Sequence, residues 1–255
     1  MEFKETSIKS VSKALALLDL LALEDIAFQG LALSVLAERI GVPLNTAHNL
    51  LKTLQQCGYV AIKSRGIYTA GPKCAQMGRV AHSADPATRQ RLLAELHRFV
   101  DAEGEACVCY ILVNGERQLV ASVDSTHAVR VSQASIEDAP FFARVTGRML
   151  AACADEDELQ QILSRQGWPG ALWDGIDNAA ALEDALARIR AHGWCLMNDT
   201  QAGLVAIACP ILGKNGRVWG VAGTYAPAYR CDAARREELL ARLRELAAQM
   251  SWIGA

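Results

Sequence analysis

The 255-residue sequence lacks most of the patterns that announce membrane insertion or catalysis. No unbroken apolar run reaches the ~20 residues needed to span a bilayer. The N-terminal MEFKETSIKSVSKALALLDLLAL joins no basic start to an apolar centre and a small-residue cleavage site, so it reads as no secretory leader and the protein is expected in the cytoplasm, away from membranes. There is no G-x-G-x-x-G, P-loop, H-E-x-x-H or G-x-S-x-G, which removes the local signatures of dinucleotide, phosphate-loop, zinc-protease and α/β-hydrolase chemistry. The eight cysteines form no C-x-x-C pair and the five histidines include no helical pair four apart, so neither a metal site nor a catalytic residue is expected, and no cofactor. A content of 51% hydrophobic and 21% charged residues fits a packed globular chain of one or two domains.

Acidic residues are missing from one whole stretch. Residues 39–84 carry six bases (Arg39, Lys52, Lys63, Arg65, Lys73 and Arg79) and no acid, although the chain as a whole has net charge −2. A local surface for a polyanion explains such asymmetry, and so does an ordinary solvated face.

Around this stretch the periodicities read as helix, helix, turn, helix and hairpin. Val11, Leu15, Leu18 and Leu21 mark a first helix, with Ser7 or Ser10 placed to cap it. Leu33, Leu36, Ala37 and Ile40 mark a second, closed by Gly41, and Pro43 fits the first turn of a third that runs to about Gln55. On a wheel of ~100° per residue, Ala47, Leu50, Leu51 and Leu54 fall on one face of this third helix, and Asn45, His48, Asn49 and Lys52 fall opposite. Asparagine reads adenine through two hydrogen bonds, lysine reaches guanine or phosphate, and Thr46 and Thr53 at the flanks are suited to phosphate oxygens. Tyr59–Ile62 and Ile67–Ala70 then form a hairpin with Lys63 and Arg65 at its tip, completing the order of a winged helix-turn-helix for double-stranded DNA.

Beyond residue 72 a helical stretch from Lys73 to His82 leads to a helix start at Asp85-Pro86. Strands are expected at 106–113 and 117–124 around Asn114-Gly115, at 206–212 and 217–225 around Asn215-Gly216, and, shorter, at Val129–Ser132 and Trp194–Met197. Leu182, Leu186 and Ile189 lie on a helix closed by Gly193. Antiparallel strands with interposed helices indicate an α+β domain. The chain entering a helix near Val145-Thr146-Gly147 offers N–H groups to a small carboxylate.

The runs SVSKALALLDLLAL, LSVLAERIGVPLNTAHNLLKTLQQCGYV, YTAGPKCAQMGRVA, PFFARVTGRMLAA and LVAIACPILGKNGRVWGVAGTYAPAYR together resemble the IclR family of bacterial transcriptional regulators, from about Ser7 to Ser251. The resemblance implies an N-terminal winged helix-turn-helix over 7–71, a linker helix over 72–85 and a GAF-like effector domain over 86–255. It also implies operator DNA and a small carboxylic or aromatic acid as partners, assembly as a homodimer or homotetramer, and effector-lining positions at Val145, Thr146, Asp199, Ala206, Gly223 and Tyr225. The sequence departs from the family at Asn49, where arginine is common, at Ala32, where a capping Ser or Thr is common, and at Met197–Gln201, which replaces an acidic stretch. The alternative to a ligand signal is thiol oxidation at Cys107 and Cys109, two apart on one strand face, although small buried hydrophobes on a core strand are the favoured reading of that pair.

Overall fold

The computed structural model describes residues 8–25, 29–131, 139–200, 202–213 and 216–253. The chain divides into two compact units, with the boundary between Gly78 and Arg79.

In the first unit, α1 (Lys9–Asp19) runs into a π-helical turn (Leu20–Glu24) and is followed by β1 (Leu31–Ala32), α2 (Leu33–Arg39), α3 (Leu44–Gln56), β2 (Val60–Ser64) and β3 (Ile67–Ala70). The strands form one antiparallel sheet in the order β1-β3-β2. The buried side of α1 differs from the expected stripe: Leu17, Leu20 and Leu21 enter the core, whereas Val11 and Leu15 are more than half exposed. Alanine and leucine occupy nearly every position from 14 to 23, so the sequence admits several stripes and packing against α3 and Leu36 selects one. Ser10 lies inside α1, whose N-cap is Ile8 with no side-chain bond, and Ser7 lies outside the described residues. Pro43 is the N-cap of α3 rather than part of its first turn. The expected apolar face holds, with Ala47, Leu51 and Leu54 buried and Leu50 half-buried. β1 has no counterpart in the sequence reading, because two residues are too short to show an alternation.

α4 (Pro72–Ala84) carries the chain across the unit boundary. In the second unit, α5 (Pro86–Glu103) starts where Asp85 accepts a hydrogen bond of 2.8 Å from the Thr88 N–H, and ends at Gly104 with φ +76°. β4 (Ala106–Val113) and β5 (Glu116–Val123) follow. A 3-10 turn (Phe141–Ala143), α6 (Val145–Cys153), α7 (Glu156–Gln166) and α8 (Ala179–His192) precede β6 (Cys195–Asp199), β7 (Leu204–Leu212), β8 (Val218–Pro227) and α9 (Ala233–Gln249). The antiparallel sheet has the order β5-β4-β8-β7-β6. Val108, Tyr110, Ala206, Ala208 and Tyr225 pack on the side of α6 and α8, and Cys107, Cys109, Ile111, Val205 and Ile207 on the side of α5 and α9. Covered on both faces, β4 is apolar throughout rather than alternating. At the sheet's end Arg230 clasps buried Glu105 through two bonds of 2.6 and 2.9 Å.

The expected strand at Val129–Ser132 is absent over 129–131, and Ser132 lies outside the described residues. The Val129 carbonyl accepts instead from Arg230 Nη1 at 2.8 Å, so a side chain takes the place of a ladder. Asn215 of the second expected hairpin turn also lies outside the described residues, while Gly213 and Arg217 close that connection by a bond of 2.8 Å.

Candidate functional site

In the first unit α3 turns Asn45, Thr46, His48, Asn49, Lys52 and Thr53 to the surface while Ala47, Leu51 and Leu54 point inward. Thr53 Oγ1 donates back to the Asn49 carbonyl at 3.0 Å, so its proton is engaged along its own helix. Of the six bases in the acid-free stretch, Arg39 pairs with Glu24, Arg79 pairs with Glu158, and Lys73 donates to the Cys57 carbonyl at 3.3 Å. Lys52, Lys63 and Arg65 are exposed on α3 and the β2–β3 hairpin. The pairing irregularity between Ile62 and Ser64 places Lys63 as an extra residue in β2, and Arg65-Gly66 makes the turn. Exposed amides on a helix and bases on the adjacent hairpin suit base edges and phosphates respectively.

In the second unit the structure brings together Val145, Thr146, Ala206, Gly223 and Tyr225. Thr146 and Tyr225 are wholly buried, and Thr146 Oγ1 lies 3.5 Å from the Tyr225 hydroxyl. Tyr225 pairs with Ala206 across β7–β8, and a Cβ on Gly223 would lie 2.7 Å from Thr146 Cγ2, so glycine there makes room for the threonine. Val145 and Ala206 are also wholly buried, as members of the core. Asp199 ends β6, where its Oδ1 accepts from the Ala202 N–H at 2.8 Å in the turn into β7.

Arg117 is a residue of this cluster that the sequence reading missed. Its Nη1 donates to Thr146 Oγ1 and its Nη2 to the Ala139 carbonyl, each at 3.0 Å, and the guanidinium lies 5.0 Å from the centre of the Tyr110 ring. Its signal was parity: Arg117 shares a strand face with Leu119, which packs on the α6 side. Burial lowers the Arg117 pKa, with nearby Tyr225 and Tyr110 opposing the shift and Arg144 adding to it. Burial raises the Tyr225 pKa against the Thr146 hydrogen bond and the two arginines. Gly147 completes the start of α6, because a Cβ there would lie 1.9 Å from the Phe141 carbonyl oxygen.

Cys107 and Cys109 lie on the opposite sheet face, wholly buried against α5 and α9. Burial pushes the Cys109 thiol up to about 12 and raises that of Cys107 as well, which keeps both out of the reactive thiolate form. Alkylation of the native protein with a maleimide is therefore expected to label exposed Cys57 first and to reach Cys107 and Cys109 only on denaturation, as mapped by peptide mass. Native labelling of Cys107 or Cys109 at the rate of Cys57 would contradict this.

The chain matches the model of the IclR helix-turn-helix domain over residues 10–61 and that of the bacterial transcriptional regulator IclR C-terminal domain over residues 79–252. It is 26% identical to the HTH-type transcriptional regulator KdgR of Escherichia coli (strain K12), covering 96% of this chain and 94% of that protein. It is 28% identical to the glycerol operon regulatory protein of Streptomyces griseus, with 96% of each covered. Among solved structures, an IclR-family transcriptional regulator from Rhodococcus sp. superposes with a TM-score of 0.59 at 21% identity, covering 98% of this chain and 95% of that one, and shows the same fold. With both domain models matched in order along the sequence, the chain belongs to the IclR family of DNA-binding bacterial transcriptional regulators.

Proposed function

We propose that this regulator reads its operator with α3, holds the duplex backbone with the β2–β3 hairpin, and changes its operator affinity when a small carboxylic or aromatic acid binds in the second unit. The reading assigns DNA contacts to Asn45, Thr46, His48, Asn49, Lys52, Thr53, Lys63 and Arg65, and effector contacts to Val145, Thr146, Asp199, Ala206, Gly223 and Tyr225. Residues 7–71 are the DNA-binding domain, 72–85 the linker and 86–255 the effector domain. The observation that carries it is the two-sided α3, with Asn45, His48, Asn49 and Lys52 exposed and Ala47, Leu51 and Leu54 buried. The family resemblance supports a cytoplasmic homodimer or homotetramer, and the physical rationale for assembly is that one helix reads only a few base pairs while two modules set a helical turn apart multiply the specificity.

The test is selection of operator sequences from a random duplex pool by the wild type and by Asn45→Ala and Asn49→Ala. Each variant is expected to relax the preference at one base position by about 1–3 kcal/mol while leaving the salt dependence unchanged. An identical consensus from all three proteins would remove α3 as the reader. The effector half is checked on the selected operator: a compound that binds tightly yet leaves operator affinity unchanged refutes the coupling.

A further inference from the structure

α3 carries an apolar side chain outside its buried stripe. Ala47, Leu51 and Leu54 are buried and Leu50 half-buried, whereas Leu44, the first residue of the helix, is 53% exposed. A single exposed leucine is ordinary on a protein surface, so its significance rests on where it stands. On the ~100° wheel Leu44 falls one turn before His48 and about 40° from it, at the edge of the face that presents Asn45, Asn49 and Lys52. The preceding Pro43 is itself exposed and gives α3 no capping side chain, so the surface at the start of the helix is apolar.

The start of a groove-reading helix is the part that meets base edges. Besides hydrogen-bonding atoms, the major groove of unmodified DNA displays one apolar group, the thymine 5-methyl. At an A·T pair this methyl shares the groove with adenine N6 and N7, which asparagine reads through two hydrogen bonds. A leucine beside Asn45 and Asn49 therefore matches a site containing A·T pairs, since neither guanine nor cytosine presents a methyl. An exposed leucine also suits a protein surface, and the charge pattern decides between the two. Residues 39–84 hold six bases and no acid, and Lys52 is exposed two turns along the same helix. Burying one methyl group against an apolar side chain is equivalent to about fourfold in affinity, enough to register in a titration.

We propose that Leu44 is a specificity-determining residue of α3 and reads a thymine 5-methyl of the operator by apolar contact, an inference that rests on the reading of α3 above. The operator selected by the wild type is resynthesised with deoxyuridine in place of thymine, one position at a time. Each replacement deletes a methyl and leaves the hydrogen-bonding edge of the pair unchanged. Full-length wild type, Leu44→Ala and Ile62→Ala are titrated against every duplex at constant salt, and circular dichroism verifies folding. Ile62 is the comparison because it is exposed on β2 rather than on α3.

The wild type is expected to lose about fourfold in affinity at one thymine. Leu44→Ala is expected to bind the unmodified operator more weakly by a similar factor and to be indifferent to deoxyuridine at that position, so that the two losses do not multiply. Ile62→Ala is expected to keep the wild-type loss there. The proposal is overturned if the selected operator lacks thymine, if no replacement costs the wild type more than about twofold, if folded Leu44→Ala keeps the full loss, or if Ile62→Ala abolishes it. Any of these results alongside a consensus relaxed by Asn45→Ala or Asn49→Ala would leave the reading of α3 standing and remove this inference. Methyl dependence through Leu44 with the consensus unchanged in both asparagine variants would do the reverse, keeping Leu44 in the groove and removing the asparagines.

Discussion

Gly147→Ala is expected to destabilise the second unit by about 3 kcal/mol or more, lowering its melting temperature by roughly 6–12 °C in a thermal scan. The added Cβ would lie 1.9 Å from the Phe141 carbonyl oxygen and 2.8 Å from its carbon. Ordinary C···O contacts start near ~3.3 Å, so α6 and the preceding 3-10 turn would have to separate by about 1.4 Å. Neither is placed to yield. Phe141 and Phe142 are buried, Phe142 packs 6.2 Å from the Trp173 ring, and Arg148 Nε ties the Phe142 carbonyl at 2.9 Å. The backbone that must move also carries Thr146, so an altered ligand response is expected to accompany the lost stability. Gly78→Ala supplies the contrast: that glycine is exposed within α4 and a Cβ there meets nothing within 4 Å. Its replacement is expected to be neutral or to stabilise α4 by up to about 1 kcal/mol, since alanine favours helix where glycine does not. Equal melting temperatures for Gly147→Ala and the wild type would show that the start of α6 adapts.

The double variant Lys63→Ala/Arg65→Ala is expected to weaken operator binding roughly ten- to a hundredfold per protomer near physiological salt and to flatten the plot of log affinity against log salt by about 2 per protomer. Each phosphate contact releases condensed counterions and contributes about 0.9 to that slope. Lys63 and Arg65 stand exposed where β2 bulges and turns. Base preference is expected to survive the double variant, because the amides of α3 are untouched. Affinity measured from 50 to 300 mM salt separates the two contributions, and a slope equal to that of the wild type would remove the hairpin from the interface.

Much of the fold was legible before any coordinates. The third helix declares itself because Ala47, Leu51 and Leu54 alternate with polar residues at a helical period, and only one face can be buried. Asp85-Pro86 and Asn114-Gly115 are equally plain, since capping and left-handed turn conformations depend on the residues themselves: Asp85 caps α5, and Asn114 adopts φ 51°. α1 was misread for the opposite reason, because apolar residues nearly encircle it and no stripe is unique. The short β1 and the unpaired stretch at Val129 depend on partners distant in sequence, Tyr68 and Arg230.

The candidate ligand site was half legible. Thr146, Gly223 and Tyr225 came from resemblance and meet in space, but Arg117 belongs to the cluster through the β4–β5 register, in which it pairs with Leu112. A break in that register between Cys109 and Tyr110 sets which strand face each following residue takes.

By itself, then, the amino-acid order settled α3 and its polarity, the start of α5, the β2–β3 and β4–β5 hairpins and the missing acids of residues 39–84, because these depend on neighbours within a few positions. Which bases of the stretch are held in ion pairs, as Arg39 and Arg79 are, which leucines of α1 turn inward, and how Arg117 comes to stand beside Thr146 and Tyr225 were decided only by tertiary packing. Such contacts join residues 29 or 79 positions apart, and no local pattern encodes that distance.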